Sequence, residues 1–198
     1  MSMPSPQKVI DFWFGKDFEE DPYQNSARWF AKDKAFDAEV RANFEEDLNR
    51  AVRGELDWKK DPLSRLAWII LLDQFSRNIY RDTPRMFAQD GLALAAVLEG
   101  IERKEDQSLH PVMRAFFYMP LMHSEDLEIQ KRSVEMFQRM MEGAEKKWKR
   151  GLEMNYDYAL KHYDIIARFG RFPHRNAILG RASTPEEVEF LKGPGSSF

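Results

Sequence analysis

The chain has 198 residues, with 30 basic and 33 acidic side chains, a formal charge of -3 and no cysteine. That length suits one sizeable domain that needs no disulfide or metal staple, and the missing thiols exclude cysteine nucleophiles, thiolate metal sites and disulfides. The average field does not attract nucleic acid or anionic lipid. The longest apolar run, Leu66 to Leu72, falls far short of the ~20 residues of a spanning helix. The opening residues MSMPSPQKV have no signal-peptide core, so the expected location is the cytoplasm.

Helical signals follow one another along the chain. Ser5-Pro6 reads as a cap with proline at the first helical position, and Gly15 stops a short helix carrying Val9, Ile10, Trp13 and Phe14. Ala27–Phe30 reads as a second short helix, with Trp29 and Phe30 expected in the core. From Asp33, apolar residues recur every four positions at Phe36, Val40, Phe44, Leu48 and Val52, and Gly54 ends that helix. Asp61-Pro62 opens a helix expected to run to about Tyr80. Thr83-Pro84 starts another, ending near Gly100. His110-Pro111 begins a short helix limited by Pro120. Ser124 is expected to cap a long helix with Glu125 and Asp126 in its first turn and an apolar stripe of Leu127, Val134, Phe137 and Met141. A further helix is expected from about Asn155 to Phe169, closed by Gly170. Thr184-Pro185-Glu186-Glu187 is a capping box that introduces Val188, Phe190 and Leu191. No segment alternates as a strand would. The reading is an all-α single domain, residues 1–198, of about eight or nine helices, with short connectors favouring stacked antiparallel hairpins. The short N-terminal segment and residues 193–198 are expected to be mobile.

Three polar constellations stand out. In Leu71-Leu72-Asp73-Gln74-Phe75-Ser76-Arg77-Asn78-Ile79-Tyr80-Arg81, helical spacing puts Asp73 and Arg77 on one face, continuing the core strip of Leu66 and Ile70. The pair is either a structural salt bridge or an anion-recognising arginine held by an aspartate. In Tyr118-Met119-Pro120-Leu121-Met122-His123-Ser124-Glu125-Asp126, capping accounts for Ser124 and the acids but not for His123, which is a candidate base with Glu125 to orient it. Gln130 follows as either a pocket amide or an exposed residue. The third runs from His162 through Arg168, Phe169, Gly170, Arg171, Phe172, Pro173, His174, Arg175 and Asn176 to Arg181. Its guanidiniums offer forked donors to phosphate or carboxylate. Helix C-capping by Gly170, Arg168 and Arg171 is the plainer alternative. His174 is the foremost acid/base candidate in it, and the spacing of His162 suits a satisfied, half-buried ring. The charged run Glu142 to Arg150 reads as a solvated helix end. No metal-ligand motif, nucleophile elbow or phosphate-cradling glycine loop is present, so no metal or cofactor is assigned.

At these residues the chain resembles a bacterial family of uncharacterised proteins, domain of unknown function 924. The resemblance is carried by Asp11-Phe12-Trp13-Phe14-Gly15, Trp29-Phe30, the Leu71–Arg81 segment, Pro120–Asp126, Phe169–Asn176 and Ser183–Glu187, and spans about residues 7 to 191. It implies an all-helical, tetratricopeptide-like fold, although the repeat consensus is missing from this sequence. It implies no reaction, substrate or cofactor.

Two functions from different classes fit. The first is a pocket that binds a small anionic ligand, with acid/base or hydrolytic chemistry as its catalytic form. His123, His174 and Glu125 would be catalytic, and Asp73, Arg77, Asn78, Arg171, Arg175 and Asn176 would hold the ligand. The second is a helical module that binds a peptide or protein, its polar motifs serving only as packing networks. The first needs the three motifs to share one cavity. The second needs the arginines to be spent on the chain's own carboxylates and carbonyls. The oligomeric state is open in both.

Overall fold

A computed structural model describes residues 4–196, and among these the regular structure is helical throughout, with no strand. The helices are α1 (Pro6–Phe14), α2 (Ser26–Trp29), α3 (Lys34–Val52), α4 (Pro62–Ile70), α5 (Ser76–Ile79), α6 (Asp90–Glu102), α7 (Pro111–Met122), α8 (Leu127–Glu142), α9 (Lys146–Phe169) and α10 (Pro185–Phe190). A π-helical turn, Leu71–Phe75, joins α4 to α5 without leaving helical backbone angles, so the three form the single helix expected after Pro62. Counted as one, they give nine helices among the described residues. The chain divides into two units. The first runs to Arg81 and resumes over Arg85–Pro120; the second takes Asp82–Pro84 and everything from Leu121.

In the first unit, Asp33 caps α3 by accepting from the amides of Ala35 and Phe36, and Asp61 caps α4 by accepting from Leu63 and Ser64. Ser5 precedes α1 in extended conformation, but its hydroxyl makes no cap bond; Pro6 alone starts that helix. Gly15 ends α1 at φ 95°, a left-handed value that a side chain would strain. The four-residue stripe of α3 is buried from Phe36 to Leu48, and Val52 at its end is exposed. Rings make the core: Trp13 lies edge-on to Phe75 and Phe116, and the Trp29 indole N–H donates to the Trp13 carbonyl at 2.8 Å. Each such ring contributes about 1.5–3 kcal/mol by leaving water. Phe30 corrects the sequence reading: it is 68% exposed, stacked only by one face on Phe116.

Helices α6 and α7 end two residues past the limits expected near Gly100 and at Pro120, but neither residue is itself the stop. Pro120 lies inside α7, near its end. Gly100 lies inside α6, because there it is a packing residue: a Cβ would stand 2.6 Å from Phe117 Cζ and 2.7 Å from Arg65 Cδ. Arg65 cannot retreat, being fully buried and bonded to Glu105 at 2.6 Å and to the Lys59 carbonyl at 3.0 Å. Gly100→Ala would gain about 1 kcal/mol in helix propensity and lose about 1–3 kcal/mol or more to overpacking. The variant is therefore expected to melt lower than the parent in a calorimetric scan; an unchanged or raised melting temperature would show that the contact yields. The helix expected from Thr83-Pro84 is instead a 3-10 turn, Pro84–Phe87, before α6 opens at Asp90.

In the second unit α8 and α9 form an antiparallel hairpin over a three-residue connector. The cap of α8 is Asp126, which accepts from Glu128 and Ile129, and not Ser124, whose hydroxyl accepts from the Asp126 amide. Glu125 is thereby left outside the helix. The buried face of α8 is Gln130, Ser133, Phe137 and Met140; Leu127 is exposed, and Val134 and Met141 only flank the buried face. Helix α9 starts at Lys146, nine residues before the expected Asn155, so most of the charged run forms its first turns. It closes at Gly170, φ 68°, whose N–H donates to the Ile166 carbonyl. The capping box of α10 is present in both halves, and Val188 points to solvent. Ile165, Ile166 and Phe172 make a small core flanked by Phe169 and Phe190. Of the C-terminal tail, the Ser196 hydroxyl donates to the Leu191 carbonyl. The mobility expected of residues 1–3 and 197–198 lies outside the described residues.

Candidate functional site

The π turn carries the first motif. Asp73 is fully buried and meets Arg77 Nη1 at 3.0 Å; the Gln74 amide donates to the other Asp73 oxygen at 2.6 Å. Arg77 also donates to the Asp73 carbonyl at 2.7 Å and pairs with Asp90 at 3.0 Å. Burial opposes the Arg77 charge, but Asp73 and Asp90 outweigh it and hold the guanidinium's pKa above its ordinary value. Asn78 donates to Asp37 at 2.8 Å, and Arg81 grips the same carboxylate with two nitrogens, at 2.5 and 2.7 Å. Burial of Asp37 raises its pKa, and the Arg81 and Asn78 bonds more than reverse that, leaving the carboxyl below its usual range. Each candidate here is thus tied to a carboxylate of its own unit. A π turn inside an α-helix often marks a functional segment; here it carries a buried, salt-bridged aspartate.

The second and third motifs meet in the second unit, and Phe172 is where they meet. Its ring is fully buried, with the His162 ring 5.6 Å away edge-on, the His174 ring at 5.5 Å and the Arg175 guanidinium 4.5 Å from its centre. The His123 ring is 6.1 Å from that of His162, and Arg175 Nη2 donates to the His123 carbonyl at 3.0 Å. Local bonds place each part. Gln130, fully buried, donates to the carbonyls of Met122 and Ser124, pinning the segment that carries His123. Glu125 accepts from the Phe172 amide at 2.8 Å and from Arg181 twice, at 2.7 and 2.9 Å. Arg181 also donates to Asn176 Oδ1 at 3.0 Å and to the Phe172 carbonyl. Glu187, 2% exposed, accepts from Arg171 at 2.6 and 2.8 Å and from Asn176.

The electrostatics follow from burial. His162 is 5% exposed and its Nδ1 lies 2.7 Å from the Tyr158 carbonyl. A carbonyl can only accept, so Nδ1 carries the proton and the neutral ring keeps its lone pair on Nε2. Desolvation, then His123, push the His162 pKa down to about 3. Desolvation, then Arg175 and His123, push His174 down to about 4, with Glu125 pulling the other way. Both imidazoles are neutral at pH 7. Glu125 is raised by burial but lowered more by Arg181 and the Phe172 amide, so it stays ionised.

The sequence candidates thus sort into two sets. Asp73, Arg77 and Asn78 belong to the first unit. His123, Glu125, Arg171, His174, Arg175 and Asn176 belong to the second, where His162 joins them. Sequence reasoning gave no role to Asp37, Asp90 or Glu187 in these sites, and left Arg181 in its basic run without one; Gln130, read as a pocket amide or an exposed residue, is instead fully buried and spent on two carbonyls. The partner of Arg181 lies 56 residues away, and no spacing rule reaches that far. Among the described residues no group of three or more His, Asp or Glu side chains is arranged to hold a metal ion.

A family model described as a bacterial protein of unknown function, DUF924, matches residues 9–195. The chain belongs to this family. The DUF924 chain is similar to a solved structure, that of the protein of unknown function ATU0120 from Agrobacterium tumefaciens, at 39% identity. The match covers 95% of this chain and 97% of that one, with a TM-score of 0.81. No curated protein matches it. Membership in DUF924 therefore supports the helical fold and brings no activity with it. No helix among the described residues is long and apolar enough to cross a membrane.

Proposed function

We propose that this DUF924 protein binds a small anionic molecule at the His123–His162–His174–Arg175 cluster of its second unit. The observation that carries the reading is the pair of neutral imidazoles, His162 and His174, set against the same Phe172 ring as a buried guanidinium. Arg175 supplies fixed positive charge, His174 can present a ring N–H, and His162, whose Nδ1 proton is held by the Tyr158 carbonyl, becomes a donor to the anion only when its Nε2 takes up a proton. A bound anion would favour the imidazolium form, so binding would draw in protons. Acid/base or hydrolytic chemistry at His123, His174 and Glu125 is a further step. A ring with a pKa of about 4 is a weak base at neutral pH. It would act only once an anionic substrate had drawn that pKa back up. Asp73, Arg77 and Asn78 are committed to carboxylates of the first unit, and the proposal stands on the second unit alone.

Titration calorimetry with inorganic phosphate and with succinate tests this. Binding is expected to tighten from pH 7.5 to pH 5.5, with net proton uptake seen as a dependence on buffer ionisation enthalpy. Arg175→Gln should abolish binding. His174→Gln should keep binding and lose most of the proton uptake. Absence of binding by either anion, or binding that ignores both pH and Arg175, would end the proposal.

One observation favours the interaction module instead: Arg77, Arg81, Arg171 and Arg181 each pair with carboxylates of their own unit. Such pairing is what purely structural networks require. The exposed Met154 and Tyr158 on α9 would then offer a partner surface. A single protein that co-purifies and is lost on changing Met154 and Tyr158 to Ser would support this reading over the first.

A further inference from the structure

The first unit holds a groove of about 650 Å³ between α3 and the end of α5, one wall of which is the end of the Leu71–Arg81 motif. Its volume is within the range of small-molecule sites, about 300–1,000 Å³. The floor follows from spacing on α3. Lys34, Ala38, Ala42 and Glu46 form one four-residue stripe, and Asp37, Arg41, Glu45 and Asn49 the next. The two alanines leave a hollow between long polar side chains. Asn78, Ile79 and Arg81 form the opposite wall.

The charges of this lining cancel, yet they are not mixed. Lys34 and Arg41 lie toward the N-terminus of α3, and Glu45 and Glu46 toward its C-terminus. Arg81 and Asp37 neutralise one another by their two-nitrogen grip. Arg41 is braced by donating to the Ile79 carbonyl. Glu46 already meets Arg53 at 3.2 Å, and Glu45, which is hydrogen-bonded to the Tyr80 side chain and paired with no cation among the described residues, keeps its negative charge at the groove. A lone anion would be repelled at one end and a lone cation at the other. A dipolar molecule meets attraction at both.

We infer that this groove binds a short unblocked peptide, its terminal carboxylate at Lys34 and Arg41 and its terminal ammonium at Glu45. The helix rise of about 1.5 Å per residue places Arg41 about 6 Å and Lys34 about 17 Å from Glu45 along the axis. An extended tripeptide spans about 10 Å, which lies between these limits. Asn49 and Asn78 line the same cavity; Asn78 Nδ2 already donates to Asp37 and Asn49 Oδ1 accepts from Tyr80, so the Asn49 Nδ2 donor and the Asn78 Oδ1 acceptor are the groups that suit a peptide bond. This inference concerns the first unit and does not depend on the anion site proposed above.

Triglycine, its C-terminal amide and its N-acetyl form are the probes, followed by calorimetry or ligand-observed NMR on the whole protein. The unblocked peptide is expected to bind saturably, and each blocking group to weaken it about tenfold by removing one charge-assisted bond. Lys34→Gln and Arg41→Gln should erase the preference for a free carboxylate. Glu45→Gln, which keeps an acceptor in place, should erase the preference for a free amine. Arg41→Gln also loses the bond to Ile79, so Lys34→Gln, an exposed position, carries the result if Arg41→Gln fails to fold. No saturable binding of triglycine below roughly 10 mM overturns the inference, as do blocked and free peptides that bind alike.

Discussion

Urea denaturation is expected to show the protein losing stability steeply between pH 6.5 and pH 4.5, in a window set by His162 and His174. In the unfolded chain each imidazole takes up its proton near pH 6.5. In the fold, burial holds His174 neutral to about pH 4 and His162 to about pH 3. Between those limits the unfolded state binds more protons, so stability falls as pH falls, by up to about 1.4 kcal/mol per pH unit for each ring. Glu125, whose folded pKa is lowered, contributes with the same sign but begins to lose its share only as pH falls below the ordinary carboxylate value. The upper part of the window therefore reports the histidines. His162→Gln should remove about half of the slope there. An unchanged slope in that variant would mean that the ring is not held neutral. The same experiment with saturating phosphate should flatten the slope if the cluster binds anions, because the ligand stabilises the protonated folded form.

How much of this was legible depended on the range of the interaction. The Asp33 and Asp61 caps, the Thr184–Glu187 box and the Gly170 closure are local, so a few adjacent residues specify them. The Ser124–Asp126 cap was misread by two residues because three consecutive side chains could all cap, and only the packing of Glu125 against Phe172 and Arg181 decides among them. The π turn was invisible for a different reason. Leu66 to Leu72 is apolar throughout and buried on every side, so no polar face reveals the helical phase. Phe30 shows the converse, since an apolar side chain does not dictate its own burial. The His162–Phe172–His174 contacts were legible as ingredients, all within thirteen residues. That they meet His123 depends on the α8–α9 hairpin bringing two distant segments together, which spacing does not encode.

Two carboxylates, Glu125 and Glu187, fasten the loop that carries His174 and Arg175, and Glu125→Ala tests the first of them. The substitution removes the two Arg181 bonds and strips the acceptor from the amide of fully buried Phe172. Breaking a buried ion pair costs about 3–5 kcal/mol. Here the Glu125 side chain keeps 29% of its exposure, so the expected loss is at the low end, about 3 kcal/mol. Glu125→Gln keeps an acceptor for Phe172 and should lose less. Two further results separate a fastening role from bulk destabilisation. The His174 ring, followed by NMR, should titrate lower still in Glu125→Gln, because the remaining Arg181 charge is no longer offset. The double variant Glu125→Gln, Arg181→Gln should be less damaged than the two single changes added together, since it leaves no unpaired guanidinium behind. Additive losses would mean that Arg181 finds another acceptor, and that the loop is held by the Glu187 bonds to Arg171 and Asn176 instead.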